Sequence, residues 1–245
     1  THFNPNITWW DESSAFIRYM NRCQFLLQKG QFEADVLYYS GDQVPNLIRL
    51  KEADPAGVLP GYDYDVTNEE ALLRYATVQD GRITYSTGMQ YRLLVLPDHK
   101  VLSHAVLGKI EELVRQGAIV LGAKPIRAVS LMGTPISDAE FSSITDVVWG
   151  MAADSEGSHP YGKGKVMWGK TARQVLTEMG IAPDFEADSP SAALDYIHRS
   201  IEGREVYFIS NQQPQPVAAM CTFRVSGRQP ELWDAVAGTT RPATA

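Results

Sequence analysis

Residues 92–122, RLLVLPDHKVLSHAVLGKIEELVRQGAIVLG, decide the fold class. Leu93-Leu94-Val95-Leu96, closed by Pro97, is a continuous apolar run of the kind found in a strand covered on both faces. Ser103 then offers an N-cap hydroxyl. Val106, Leu107, Ile110, Leu113 and Val114 recur at helical spacing, and Gly117 supplies a stop. Ala118-Ile119-Val120-Leu121-Gly122 repeats the apolar strand signal. A strand–helix–strand unit of about 30 residues calls for a parallel pair joined by a right-handed crossover.

Working toward the N-terminus, Asp80-Gly81 between Thr77-Val78 and Ile83-Thr84-Tyr85 is a two-residue hairpin signal. A short helix is expected over about Glu69 to Tyr75, and a strand over Ala34-Asp35-Val36-Leu37-Tyr38-Tyr39. Phe16, Met20, Cys23 and Leu27, widened by Ile17 and Leu26, predict a helix from about Trp9 to Lys29. Thr8 would cap it, with Asp11 three residues on, and Gly30 would end it. Toward the C-terminus, helices are expected over Asp138 to Trp149, Ala172 to Met179 and Ala192 to Ile201. Strands are expected at Lys165-Val166-Met167-Trp168 and Glu205 to Ser210. After Gln212-Gln213-Pro214-Gln215-Pro216 the pattern becomes wholly β, with antiparallel strands at Ala218 to Val225 and Glu231-Leu232-Trp233. A domain boundary is placed at Pro214 to Pro216.

The chain has 245 residues, a formal net charge of −7, 44% hydrophobic and 21% charged residues. That is a globular composition, and its acidity argues against nucleic acid or an anionic membrane surface as partner. No apolar run approaches the roughly 18 residues of a membrane span. Two cysteines, Cys23 and Cys221, exclude a disulfide framework and a four-cysteine zinc site. The chain opens at Thr1 without a visible secretion signal, and both ends read as cuts through a longer protein.

Gly164 to Thr171 fits the phosphate-loop pattern letter for letter. Its middle residues Val166, Met167 and Trp168 read as a strand, however, and the preceding Ser155 to Gly162 is polar and turn-like, so no loop remains to wrap a phosphate. Neither strand end, Pro97-Asp98 or Gly122-Ala123, carries a nucleophilic cysteine, and no G-x-S-x-G elbow occurs. His2, His99, His104, His159 and His198 lack metal-ligand spacing. His198-Arg199 suits the orientation of a carboxylate or a loop carbonyl. Tyr62-Asp63-Tyr64-Asp65 supports two readings: aromatic faces and carboxylates of a sugar site, or a turn capped by Asp65 or Thr67 before a helix. Thr1-His2-Phe3-Asn4 with Trp9-Trp10 is of the same kind.

The stretches Thr1-His2-Phe3-Asn4-Pro5-Asn6-Ile7-Thr8-Trp9-Trp10 and Tyr19-Met20-Asn21-Arg22-Cys23-Gln24-Phe25-Leu26-Leu27-Gln28-Lys29-Gly30 resemble the large α-L-rhamnosidases of glycoside hydrolase family 106. So do Ala34 to Tyr39, Gly61 to Asp65, Gly88 to Pro97 and Tyr196 to Arg199, in the same order. The resemblance implies an α/β fold: a mostly parallel sheet flanked by helices, glutamine-amidotransferase-like or flavodoxin-like. Residues 1–30 would be the last loop and helix of a (β/α)-barrel, 31–213 the amidotransferase-like domain without its cysteine, and 214–245 the start of a β-sandwich.

For the complete enzyme the resemblance implies inverting hydrolysis of terminal α-L-rhamnose on plant polysaccharides, calcium near the cleft, and periplasmic or secreted location. The two carboxyl groups that inversion requires are expected upstream of Thr1, so no catalytic residue, metal or cofactor is assigned here. The isolated chain is expected to be inactive, with the rest of the polypeptide and a rhamnose-containing glycan as its partners. His2, Asn4, Tyr62, Asp63 and Asp65 are the candidate rim or substrate contacts. The alternatives are a non-catalytic carbohydrate-binding or assembly module and, against the missing cysteine, an amidotransferase-like enzyme.

Overall fold

The computed structural model describes residues 4–41, 59–129, 138–151, 154–189 and 193–243. Its largest sheet contains β1 (Val36–Tyr39), β2 (Tyr64–Thr67), β3 (Leu93–Val95), β4 (Ile119–Leu121), β5 (Gly157–Tyr161) and β6 (Gly164–Trp168) in the order β2-β1-β3-β4-β6-β5. All neighbours are parallel except the β5–β6 edge pair. The predicted crossover is present: β3 leads to α3 (His104–Gln116) and then to β4, with Leu94 opposite Val120. The Ser103 hydroxyl accepts from the Val106 N–H at 3.2 Å, and Gly117, at φ +130°, turns its N–H back to the Leu113 and Val114 carbonyls.

Alternation along each strand explains the unbroken apolar runs. Leu37, Leu94 and Val120 pack on one face with α3, α2 (Glu69–Tyr75) and α4 (Asp138–Trp149). Val36, Tyr38, Leu93, Val95 and Leu121 pack on the other with Val175 and Leu176 of α5 (Ala172–Glu178). Both faces are covered, so both registers must be apolar. Asp80 and Gly81 both take positive φ, 51° and 73°, as the predicted hairpin turn requires.

Outside this sheet, β7 (Phe185–Ala187) pairs antiparallel with β10 (Cys221–Phe223), and β8 (Leu194–Ile201) with β9 (Arg204–Asn211). The short strand Gln31–Phe32 adds to β8, while β11 (Glu231–Asp234) and β12 (Thr239–Pro242) form a separate hairpin. The β7–β10 ladder joins residues on both sides of Pro214–Pro216. Among the described residues there is no closed barrel.

Several expectations need correction. Residues 194–201 are a strand, not a helix: their burial alternates, and Glu202-Gly203, both at positive φ, turn the chain into β9. The first helix, α1 (Ser14–Leu27), starts later than Trp9, because Asn4 to Ser13 form successive turns, and Thr8 lies within those turns rather than at the cap. Its expected core stripe is only partly covered within the described chain: Cys23 is buried and Met20, Leu26 and Leu27 are half-buried, but Phe16 and Ile17 stand 46% and 36% exposed. Asp65 and Thr67 do not cap α2 either. They lie in β2, and Asn68 accepts the Ala71 N–H at 2.9 Å. Finally, Gly157–Tyr161 is extended edge strand rather than turn.

Candidate functional site

The polar chemistry of the chain gathers below the amino ends of β1 and β3. Asp35 directly precedes β1, and its carbonyl accepts the Arg92 N–H at 2.8 Å, which fixes where the Arg92 side chain starts. The buried Asp35 carboxylate accepts from Arg92 Nε and Arg224 Nη2, each at 2.9 Å. Arg224 follows β10; it also donates to the Ala182 carbonyl at 2.9 Å and lies 3.6 Å from Asp184. The Asp184 N–H is held by the Gly61 carbonyl at 2.6 Å, just ahead of β7. The Asp184 carboxylate, itself buried, accepts from the Tyr207 hydroxyl and from His198 Nδ1, both at 2.8 Å. The other ring nitrogen of His198, Nε2, meets Glu205 Oε2 at 3.0 Å, and the Tyr207 ring stacks on the imidazole at 3.9 Å.

This network floors an open recess of about 340 Å³ whose rim carries Glu33, Ser226 and Arg228. Burial pulls the His198 pKa down, but the hydrogen bonds and charges of Asp184 and then Glu205 outweigh it and hold the group above its ordinary value. The half-buried Glu33 is raised as well, chiefly by burial; the His198 charge opposes this, and Glu205 and Asp184 reinforce it. Burial and the neighbouring Asp184 carboxylate push the Tyr207 hydroxyl far up, so it remains a donor. Burial lowers and Asp35 raises Arg224, with a net rise.

The carboxylates of Asp35 and Asp184 each accept two hydrogen bonds from cationic or hydroxyl donors of the protein, so both are committed to structural partners. Among the described residues no group of three or more His, Cys, Asp or Glu could hold a metal ion. Asp35, Asp184 and Glu205 are matched to arginine, histidine and tyrosine donors, an arrangement that does not suit a calcium ion.

The sequence-derived rim residues that the structure describes lie elsewhere. His2 is outside the described residues. Asn4 is half-buried in the turns before α1, where its Oδ1 accepts the Asn6 N–H at 2.9 Å. Tyr62 is 2% exposed, with its hydroxyl on the Ile181 carbonyl at 2.7 Å and the Arg173 guanidinium 5.9 Å from its ring centre. Asp63 is buried and accepts the Tyr64 N–H at 2.9 Å. Asp65 accepts from the Val66 N–H at 2.7 Å and from the Tyr91 hydroxyl at 2.8 Å. The structure brings Tyr62, Asp63 and Asp65 to the β1–β2 side of the sheet as packed and bonded groups.

The phosphate-loop pattern is strand β6 followed by Thr171, which forms a capping box with Gln174 at the start of α5. His198-Arg199 does orient both a carboxylate and loop carbonyls, since Arg199 donates to the Lys29 and Gly30 carbonyls. Sequence reasoning misses Glu33, Asp35, Arg92, Asp184, Glu205 and Arg224. The available signal is an acid set directly against an apolar strand, in Ala34-Asp35-Val36 and Pro183-Asp184-Phe185.

Comparison with known proteins supplies the remaining constraint. A curated protein of Formosa agariphila, named "Putative beta-glucuronidase", is 34% identical over 242 residues, covering 98% of this chain and 19% of its own length. The structure of a rhamnosidase from Novosphingobium sp. PP1Y superposes with a TM-score of 0.81 at 26% identity, over 99% of this chain and 23% of the other. A catalytic mutant of Gan42B, a GH42 beta-galactosidase from G. stearothermophilus, shares the fold at 11% identity, with a TM-score of 0.56 over 98% of this chain and 42% of the other. The chain thus spans about a fifth of the length of the first two. The family model for glycoside hydrolase 106, alpha-L-rhamnosidase, matches residues 1–244, and the chain belongs to that family.

Proposed function

We propose that this chain is the scaffold portion of a larger glycoside hydrolase that removes terminal α-L-rhamnose from plant polysaccharides with inversion. One observation carries the reading: within a family match spanning residues 1–244, the buried acids Asp35 and Asp184 are committed to arginine, histidine and tyrosine partners. Inversion needs two carboxyl groups about 6.5–9.5 Å apart with room for water between them. The reading therefore locates them in the remainder of the larger protein, together with any calcium.

The strand order β2-β1-β3-β4-β6 is that of a doubly wound, flavodoxin-type sheet, which supports the amidotransferase-like assignment for 31–213. In this proposal residues 1–30 close a barrel, with the uncovered Phe16 and Phe25 side chains of α1 turned toward it, and 214–245 begin a β-sandwich. His2 and Asn4 are rim contacts. Tyr62, Asp63 and Asp65 support the rim through their packing, and export to the periplasm or medium accompanies a polysaccharide substrate. No helix among the described residues is long and apolar enough to cross a membrane.

An aryl α-L-rhamnoside assay tests the proposal: the 245-residue chain alone is inert, and the larger protein turns the substrate over with inversion. Robust turnover by the chain alone overturns it. In the larger protein His2→Ala lowers kcat/KM; unchanged kinetics remove His2 from the rim. A second reading, a non-catalytic carbohydrate-binding or assembly module, is favoured by the open recess, whose rim presents the polar side chains of Glu33, Ser226 and Arg228. Calorimetric titration with rhamnose oligosaccharides separates the two, since tight binding by the isolated chain selects the module.

A further inference from the structure

We propose that His198, charged and bridging Asp184 and Glu205, is a pH-sensitive latch that holds the Leu194–Asn211 hairpin against the base of the parallel sheet, and that alkaline conditions loosen it. A carboxylate only accepts, and a neutral imidazole has one N–H and one lone pair. His198 meets a carboxylate oxygen at each ring nitrogen, 2.8 Å to Asp184 and 3.0 Å to Glu205. With both carboxylates ionised, both nitrogens donate and the ring is an imidazolium.

The groups facing it come from every neighbouring segment. Asp184 lies before β7, Glu205 and Tyr207 lie on β9, Glu33 precedes β1, and Arg224 and Arg228 follow β10, with Arg92 across the recess. Asp35 already binds Arg92 and half engages Arg224. When the ring loses its proton to solvent, three carboxylates, Glu33, Asp184 and Glu205, are left around a neutral group, and one ring nitrogen turns a lone pair on an oxygen. Glu205 lies on the same hairpin as His198 and, 29% exposed, can turn to water; Asp184, off the hairpin and 3% exposed, cannot, so its bond to His198 survives but loses the attraction of the imidazolium charge, and that loss is what loosens the hairpin.

The consequence reaches beyond one side chain. The His198 carbonyl accepts the Glu33 N–H at 3.0 Å, and Arg199 donates to the Lys29 and Gly30 carbonyls. Gly30 itself lies so close that a Cβ there would overlap the Ser200 carbonyl oxygen. The hairpin thus ties the end of α1 to the sheet. A histidine held above its unfolded value, about 6.5, contributes its full stabilisation below that pH. The contribution is lost as pH rises through the higher folded value. Glu33, also raised, changes stability in the same direction at lower pH.

Histidine-selective NMR on the 245-residue chain tests the latch. At pH 6 both ring nitrogens of His198 carry protons, and the ring titrates with a midpoint above about 6.5. A neutral tautomer at pH 6, or a midpoint at or below that value, overturns the proposal. Amide-exchange protection of residues 194–211, relative to β3 and β4, then falls as pH passes the midpoint. The fall is about tenfold for each pH unit by which the midpoint exceeds the unfolded value. A constant ratio overturns the proposal. Glu205→Gln removes one bridging carboxylate at a partly exposed position, so the chain still folds and the midpoint moves down. An unchanged midpoint rules out the Glu205 arm of the latch.

Discussion

The core of the parallel sheet is buried, as are Asp35, Asp184 and His198 of the charged junction beneath it, yet the two are held by opposite kinds of interaction. Around β1, β3 and β4, Leu37, Leu94, Val120 and the inner face of α3 contribute many small, directionless contacts. Such a core loses stability in proportion to the volume removed and tolerates swaps that conserve volume. At the junction Asp35, Asp184, His198 and Arg224 form a few directional bonds between segments far apart in the chain. A buried charge that loses its partner is not repacked, because the remaining charge has no water to replace it. Specific geometry is thus concentrated at the junction, and bulk stability in the sheet.

The contrast can be broken most severely at Asp184. Asp184→Asn leaves His198 and Arg224 without their shared carboxylate, and urea unfolding at pH 6 should show a loss of about 3–5 kcal/mol. A loss below about 1 kcal/mol would mean that the network is slack. In the sheet core, Leu107→Ala, at a position with 0% exposure, should cost about 2–5 kcal/mol. Leu107→Met should cost less than about 1.5 kcal/mol, a tolerance that the junction lacks. Ser103→Ala, which removes the hydroxyl capping α3, should cost about 1 kcal/mol by the same measurement. Smallest is Arg74→Ala on α2: its 2.8 Å pair with Glu70 is two-thirds exposed on both sides, and the expected change is at most about 0.5 kcal/mol.

Pairs of substitutions sharpen the comparison further. Leu107→Ala and Asp184→Asn lie in separate clusters and should add, whereas Asp184→Asn and Glu205→Gln share His198 and should not.

Much of the fold is legible because its signals are local. Two unbroken apolar runs mark β3 and β4, Ser103 and Gly117 mark the ends of α3, and Asp80-Gly81 marks a turn in which both residues take positive φ. Residues 194–201 mislead because Ala192-Ala193-Leu194 and Tyr196-Ile197 also suit a helix; the alternation of burial and the Glu202-Gly203 turn decide for strand. Of the junction only His198 stands out in the sequence. Its partners carry no motif: Arg224 and Asp35 are 189 positions apart, and each alone is an ordinary surface-type residue.

Family membership, the α/β class and the crossover that builds the sheet are therefore written in the order of residues along the chain, since caps, turns and periodicity act over a few positions. Where Tyr62 and Asp65 point, whether residues 194–201 extend or coil, and which acids meet which bases come only from the folded arrangement. Burial and pairing of charge depend on what packs alongside, and a linear string does not contain those neighbours.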